Sequence, residues 1–344
     1  MFFFHNDYNE LCHPNVLKKM QENAHCQMDG YGEDICCSRA AQMIRKYCCD
    51  DDLAVHFLVG GTQSNMTVIS AALRPHQAVI AAESGHIHVH ETGAVEATGH
   101  KVLPLPSVDG KISAKQIAVA VNAHWDDPNH EHIPQPKMVY ISQPTELGTV
   151  YSLNELEAIS RVCRKCGLYL FVDGARLGYA LAAEGNDVNL PDLARLTDVF
   201  YIGGTKLGVM FGEAVVISNP CLQADFRYIM KQRGAMLAKG WTLGLQFEAL
   251  LENGLYWEIA GTADRFADQI RDTLRNNGYP MPVVSATNQV FAVLPVDLCR
   301  KLEEYVTFSP WEKIDEDHIM VRFCTSWATT QKGVDVLCTL LNNP

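Results

Sequence analysis

Short apolar runs alternate with amphipathic stretches over the first two-thirds of the chain. Ala54 to Val59 reads as a strand that stops at Gly60-Gly61-Thr62, and a helical pattern follows from Gln63 to Leu73. Ala78 to Ala82 is uniformly apolar, the mark of a strand covered on both faces. The residues from His90 to Thr98 read as helical, and Lys101 to Leu105 and Lys137 to Ser142 read as strands. Ser152-Leu153-Asn154-Glu155 is a capping box, in which the serine and glutamate side chains satisfy each other's backbone N–H groups at a helix start. Gly167 closes that helix, and Leu168 to Val172 returns as a strand. Strand, helix and strand at this spacing predict parallel crossovers and an α/β fold with a doubly wound, mostly parallel sheet.

After Asn219-Pro220 the pattern changes. Amphipathic helices over Gln223 to Lys231 and Trp241 to Leu251 lead into a further helix, short strands and a final helix. This predicts a large domain over residues 1–250, with residues 1–25 as an arm contributing to the site, and a small C-terminal α/β domain over residues 251–344. Asp126 to Pro134 is polar and bounded by prolines, so it reads as a surface loop.

Composition narrows the function classes. With 344 residues, 47% of them hydrophobic and 20% charged, the chain can bury one sizeable core and a second, smaller one. A net charge of −12 with no lysine or arginine cluster argues against a nucleic-acid or anionic-membrane partner. No run approaches the roughly 20 apolar residues of a spanning helix, and Met1 to Asp7 lacks the features of a signal peptide, so a cytoplasmic location is expected. The 12 cysteines include the vicinal pairs Cys36-Cys37 and Cys48-Cys49, which bridge poorly, so reduced thiols are expected. Cys163 and Cys166 share a helical apolar stripe with Leu156 and Ile159 and read as packing residues.

Two segments carry the chemistry. Phe171-Val172-Asp173-Gly174-Ala175-Arg176 and Tyr201-Ile202-Gly203-Gly204-Thr205-Lys206 each read as an apolar strand ending abruptly at polar residues. They deliver a carboxylate and an amine to the carboxyl edge of one sheet, where open α/β sheets bind ligands. Pyridoxal phosphate needs this pair: Lys206 forms a Schiff base and Asp173 keeps the pyridine nitrogen protonated. The alternatives are a surface lysine and an Asp173–Arg176 ion pair. Gly60-Gly61-Thr62-Gln63-Ser64-Asn65 turns a strand into a helix and gathers free amides that suit a phosphate, although a simple capped turn has the same composition. His86-Ile87-His88-Val89-His90-Glu91 offers a ring to stack on a cofactor. As a strand it would instead align three imidazoles for zinc, the basis of an alternative reading as a metal-dependent hydrolase. Arg322, alone in the apolar run Ile319 to Cys324, suits a substrate carboxylate or a core acid.

In order along the chain, Asn6-Asp7-Tyr8, Gly30-Tyr31-Gly32-Glu33-Asp34, the Gly60-Gly61-Thr62 turn, Gly85-His86-Ile87 with Glu91, Asp173-Gly174-Ala175-Arg176 and Thr205-Lys206 resemble the threonine aldolases of the β-eliminating lyase group. The resemblance implies a fold-type I enzyme that uses pyridoxal 5′-phosphate to cleave L-threonine, and often L-allo-threonine, to glycine and acetaldehyde. A β-lyase, or an aldolase for a bulkier substrate such as phenylserine, would use the same cofactor site. Lys206 is implied to hold the cofactor, Asp173 to face its ring nitrogen, His86 to stack on the ring, and Gly61 and Thr62 to bind the phosphate. Arg176 is implied to sit near the cofactor's phenolic oxygen and the substrate carboxylate, which Arg322 and Asn6 are implied to contact too, and His86 is a candidate for the base that takes the β-hydroxyl proton. Where the family has Asn-Thr-His-Asn, this chain has Pro144-Thr145-Glu146-Leu147, with His130 and His132 in the preceding loop as candidates to handle the substrate hydroxyl. A homodimer or homotetramer with shared sites is implied too, with Arg233 or Lys239 reaching the phosphate across subunits.

Overall fold

The computed structural model describes residues 1–343. The strands run in chain order β1 (Phe2–Phe3), β2 (Ala54–Leu58), β3 (Gln77–Ala82), β4 (Lys101–Leu105), β5 (Gln135–Ser142), β6 (Tyr169–Asp173), β7 (Val199–Gly203) and β8 (Glu213–Ile217). β2 to β8 form a seven-stranded sheet in the order β2-β8-β7-β6-β5-β3-β4. β8 is antiparallel to β2 and to β7, and the other pairings are parallel. Because β2 and β7 both oppose β8, they point the same way. The carboxyl ends of six strands and the amino end of β8 therefore share one edge, the mixed and mostly parallel arrangement expected from the sequence.

Period-two alternation sends successive side chains to opposite faces of this sheet. Val139, Ile141, Leu170, Val172, Phe200 and Ile202 pack into one buried cluster, and Met138, Tyr140, Phe171, Val199 and Tyr201 into another. Asp173 lies two positions after Phe171 and shares the face of Tyr140 and Tyr201. Helices cover both faces. Ser152 and Glu155 form the reciprocal capping box of the helix Leu153–Cys166, and Gly167 ends it at φ +65°. Cys163 lies on the buried stripe of that helix, where burial pushes its thiol up, and all the cysteines are free.

Two helices differ from the sequence reading, and backbone conformation explains both. Thr92 and Gly93 take positive φ, so the run from His90 to Thr98 keeps only a 3₁₀ turn over Glu96–Thr98, and a short helix over His86–Val89 precedes it. Asp225 at φ +59° divides the stretch from Gln223 to Lys231 into Pro220–Gln223 and Phe226–Gln232.

The C-terminal part adds β9 (Gln289–Pro295), β10 (Val306–Thr307), β11 (Ser309–Lys313) and β12 (His318–Cys324). β11, β12 and β9 form a small antiparallel sheet with its own apolar cluster around Val290, Ala292, Val321 and Phe323. β1 pairs with β10, so the N-terminal arm is anchored on this smaller domain. The helix Leu255–Asn276 belongs to both cores: Tyr256, Ile259, Ala260 and Ala263 pack in the large one, and Ala267, Ile270 and Leu274 in the small one. Among the described residues no helix is long and apolar enough to cross a membrane.

Candidate active site

A cavity of about 260 Å³ opens at the shared strand edge, walled by Tyr8, Gly60, Gly61, Thr62, His86, Glu146, Asp173, Arg176, Tyr201, Lys206 and Glu213. The ends of β6 and β7 meet so closely that a Cβ on Gly174 would collide with Tyr201 O, and one on Gly203 with Ala175 O. This contact needs glycine at both positions and fixes Asp173 relative to the turn carrying Lys206.

Asp173 is 5% exposed, and no cation pairs with it. Tyr140 OH donates to it at 2.5 Å, Asn65 Nδ2 at 3.1 Å and the Ala175 N–H at 2.9 Å. Burial alone would raise its pKa; the His86 imidazole and these hydroxyl and amide donors overcome that and hold the carboxylate below its ordinary value. Asn65 also donates to Glu91, which bonds His86 Nδ1 at 2.7 Å, so one chain of polar contacts sets both Asp173 and the imidazole.

Lys206 stands in the 3₁₀ turn Thr205–Leu207, whose backbone is fixed by the Tyr179 hydroxyl donating to Lys206 O and by the Gly204 N–H donating to Glu213 Oε2. Burial and then the neighbouring Arg176 cation lower the Lys206 pKa, which favours the neutral, nucleophilic amine. Glu213 reaches the cavity because antiparallel β8 starts where its neighbours end. Burial raises its carboxyl to about 7.

Arg176 does not pair with Asp173, as one sequence reading had it. Its Nε and Nη2 donate to Asp7 at 2.7 and 3.0 Å, and Asn288 Nδ2 donates to the same carboxylate at 2.8 Å. Asp7 is fully buried; burial opposes its ionisation, but Arg176 and Lys206 hold its pKa below the ordinary value. An Asp7→Ala substitution leaves a buried guanidinium uncompensated and is expected to lower folding stability by about 3–5 kcal/mol, read from urea unfolding at neutral pH.

Arg322 has no acidic partner among the described residues. It donates to Gln289 Oε1 and His5 O, both at 3.2 Å, lies 5.0 Å from the Trp311 ring centroid, and leaves its buried Nε without a partner. Its charge is uncompensated, so the core-acid pairing is absent. Asn6 turns its side chain onto the Tyr8 N–H and is not part of the cavity wall.

Several sequence candidates lie elsewhere. His130 and His132 form a 3₁₀ turn just before β5, while the cavity lies past that strand's other end, about 25 Å away at roughly 3.3 Å per residue. Neither can touch a substrate in this chain's own cavity, which corrects their assignment. The metal-hydrolase reading fails as well. His86–Val89 is a helical turn instead of a strand, His88 and His90 are exposed, and no cluster of metal-ligating side chains exists among the described residues. Arg233 donates to Ser70 Oγ and Lys239 is exposed, and neither lines this cavity. Sequence reasoning gave no role to Asp7, Glu213, Glu146, Asn65 or Tyr140. Asp7 and Asn65 sat inside quoted motifs and Glu146 inside a noted departure; Glu213 and Tyr140 carried no local signal.

The geometry fits pyridoxal phosphate. The helix Gly61–Ala72 has no side-chain cap at Gly60, so its first N–H groups point unclaimed toward the cavity, and open space surrounds Gly60. Tyr201 OH is buried with no hydrogen-bond partner beside Gly61, and Asp173 is a buried carboxylate with no lysine or arginine paired to it among the described residues. Together with the sheet topology, these features define a pyridoxal-phosphate enzyme of the aminotransferase-like, fold-type I class. Comparison with known proteins makes the assignment specific. The beta-eliminating lyase family model matches residues 12–296, and the chain belongs to that family. It is 35% identical over 268 residues to a low specificity L-threonine aldolase of a Pseudomonas strain, covering 77% of this chain and 75% of the relative. The structure superposes on a threonine aldolase of Leishmania major with a TM-score of 0.97 and 44% identity, over 99% of both chains. A Thermus thermophilus aspartate aminotransferase shares the fold at a TM-score of 0.72 and 16% identity, over 99% of this chain and 90% of the other.

Proposed function

We propose that this protein cleaves L-threonine and L-allo-threonine between Cα and Cβ to glycine and acetaldehyde. The observation that carries the reading is an amine of lowered basicity and an unpaired buried carboxylate, Lys206 and Asp173, held in one cavity beside an uncapped helix start. Similarity to threonine aldolases over most of the chain supports it.

Lys206 would hold the cofactor through its amine, which is buried at the cavity wall. Asp173 would keep a proton on the cofactor's ring nitrogen, His86 would offer its imidazole to the ring, and Gly61 and Thr62 would receive the phosphate. When bound, pyridoxal phosphate supplies an electron sink for the pair released from a bond to Cα. Arg176 and Arg322, with Asn6 nearby, would orient the substrate carboxylate and so decide which Cα bond is presented for cleavage. The assembly we propose is a homodimer or homotetramer in which Arg233 or Lys239 reaches a second copy's phosphate. Exposed Tyr31, Phe211 and Tyr228 are consistent with such contacts. We place the domain division near residue 250, just before the helix shared by the two cores, and the protein in the cytoplasm.

Product analysis tests the reaction. L-threonine and L-allo-threonine should give equal amounts of glycine and acetaldehyde. A 2-oxo acid with ammonia as the only products would reassign the enzyme to β-elimination, and cleavage of phenylserine alone would reassign the substrate.

A further inference from the structure

The turn leaving β5 at the site edge is tightly held. Gln143 Nε2 donates to Tyr151 O at 3.0 Å, the Tyr151 N–H returns a bond to Gln143 Oε1 at 2.9 Å, and the Thr145 and Thr149 hydroxyls meet at 2.7 Å. This turn carries Glu146 into the cavity wall. Only one of its two carboxylate oxygens is engaged. Oε1 accepts from the His86 N–H at 2.9 Å and from Ser142 Oγ at 2.7 Å. Oε2 has no hydrogen-bond partner among the described residues and is not sealed off, so it keeps contact with accessible space in a residue that lines the cavity. No cation pairs with Glu146. The titratable groups facing it are Asp173 from β6, His86 and Glu91 from the segment after β3, Tyr140 on β5, and Tyr151. Burial, with Asp173 adding to it, raises the carboxyl above its ordinary 4.5. Of the other titratable groups in the cavity wall, His86 has its Nδ1 committed to Glu91, and Glu213, which accepts from the Gly204 N–H, stands beside the turn that carries the Lys206 amine.

We propose that Glu146 accepts the proton of the substrate β-hydroxyl as the Cα–Cβ bond breaks. The inference rests on the aldolase reading above. The O–H proton passes to Oε2, the O–H electron pair becomes the second bond of the aldehyde C=O, and the Cα–Cβ pair stays with Cα. Cα then takes up one proton, which balances the one Glu146 has gained, and no oxidant or reductant is required. The other oxygen, fixed by His86 and Ser142, keeps the acceptor aimed while the free one works.

Glu146→Gln tests this in the holoenzyme, because glutamine retains an oxygen for the His86 N–H and the Ser142 hydroxyl. Cleavage of L-threonine is expected to fall about 10²–10⁴-fold in kcat. Exchange of a glycine α-hydrogen in deuterated water, which involves no β-hydroxyl, should stay near the wild-type rate. Wild-type kcat should decline as the pH drops through the raised carboxyl pKa, since the acceptor must be ionised, and that acid limb should vanish in Glu146→Gln. Glu146→Asp, which keeps a carboxylate, should retain the limb and part of the activity, and it carries the test should the glutamine variant misfold. Near wild-type cleavage by Glu146→Gln, equal losses in cleavage and exchange, or an Asp variant without the acid limb would overturn the proposal. A wild-type enzyme that exchanges glycine hydrogen but releases no aldehyde from any β-hydroxy amino acid would instead refute the aldolase reading.

Discussion

Lys206→Ala protein is expected to purify without the visible absorbance of bound pyridoxal phosphate and to cleave L-threonine several orders of magnitude more slowly than wild type. The expected loss is chemical, not conformational. Lys206 has its pKa lowered by burial and by Arg176, so the folded state disfavours its charged form. A lysine depressed in this way costs stability at any pH below its ordinary 10.5, where the unfolded chain holds the proton more firmly. Alanine relieves that cost, so urea unfolding near neutral pH should show the variant no less stable than wild type stripped of its cofactor, whose binding would otherwise add stability of its own. A yellow, active Lys206→Ala enzyme would remove the basis of the cofactor assignment.

Asp173→Asn should separate cofactor binding from cofactor use. The Lys206 linkage and the Gly60-Gly61-Thr62 turn remain, so visible absorbance should persist. The anion proposed to face the ring nitrogen would be lost, and with it the charge that would keep the ring able to withdraw electrons. A fall in kcat of about 10³-fold is expected, on the scale of removing a preorganised electrostatic contact from a closed site. The amide must also place a donor or an acceptor toward Tyr140 OH and Asn65 Nδ2, both of which donate to Oδ2. An Asn variant with wild-type kcat would show that the carboxylate serves only the fold.

What the sequence made legible was local. Asp173 and Lys206 each end an apolar strand, and the parallel crossovers place such ends on one edge. The capping box at Ser152 and the glycine stop at Gly167 mark their helix directly. The unread parts depend on contacts distant in sequence. Asp7 and Arg176 are far apart in the chain and meet only because β1 ties the arm to β10. Glu213 enters from the amino end of an antiparallel strand that no crossover pattern announces. His130 and His132 stand far from this chain's own cavity, because the full length of β5 separates them from the segment at residues 144–147, to which they are close along the chain. The broken run after His90 turned on a positive φ at Thr92, a residue that composition alone would leave inside the helix.

The helix Leu255–Asn276 lends its first half to one apolar core and its second half to the other. Melting either core would strip packing from a rod whose remaining turns still support its neighbour. Heat should therefore be absorbed in one endotherm in scanning calorimetry, and a polypeptide cut off before this rod would expose a greasy stripe and precipitate.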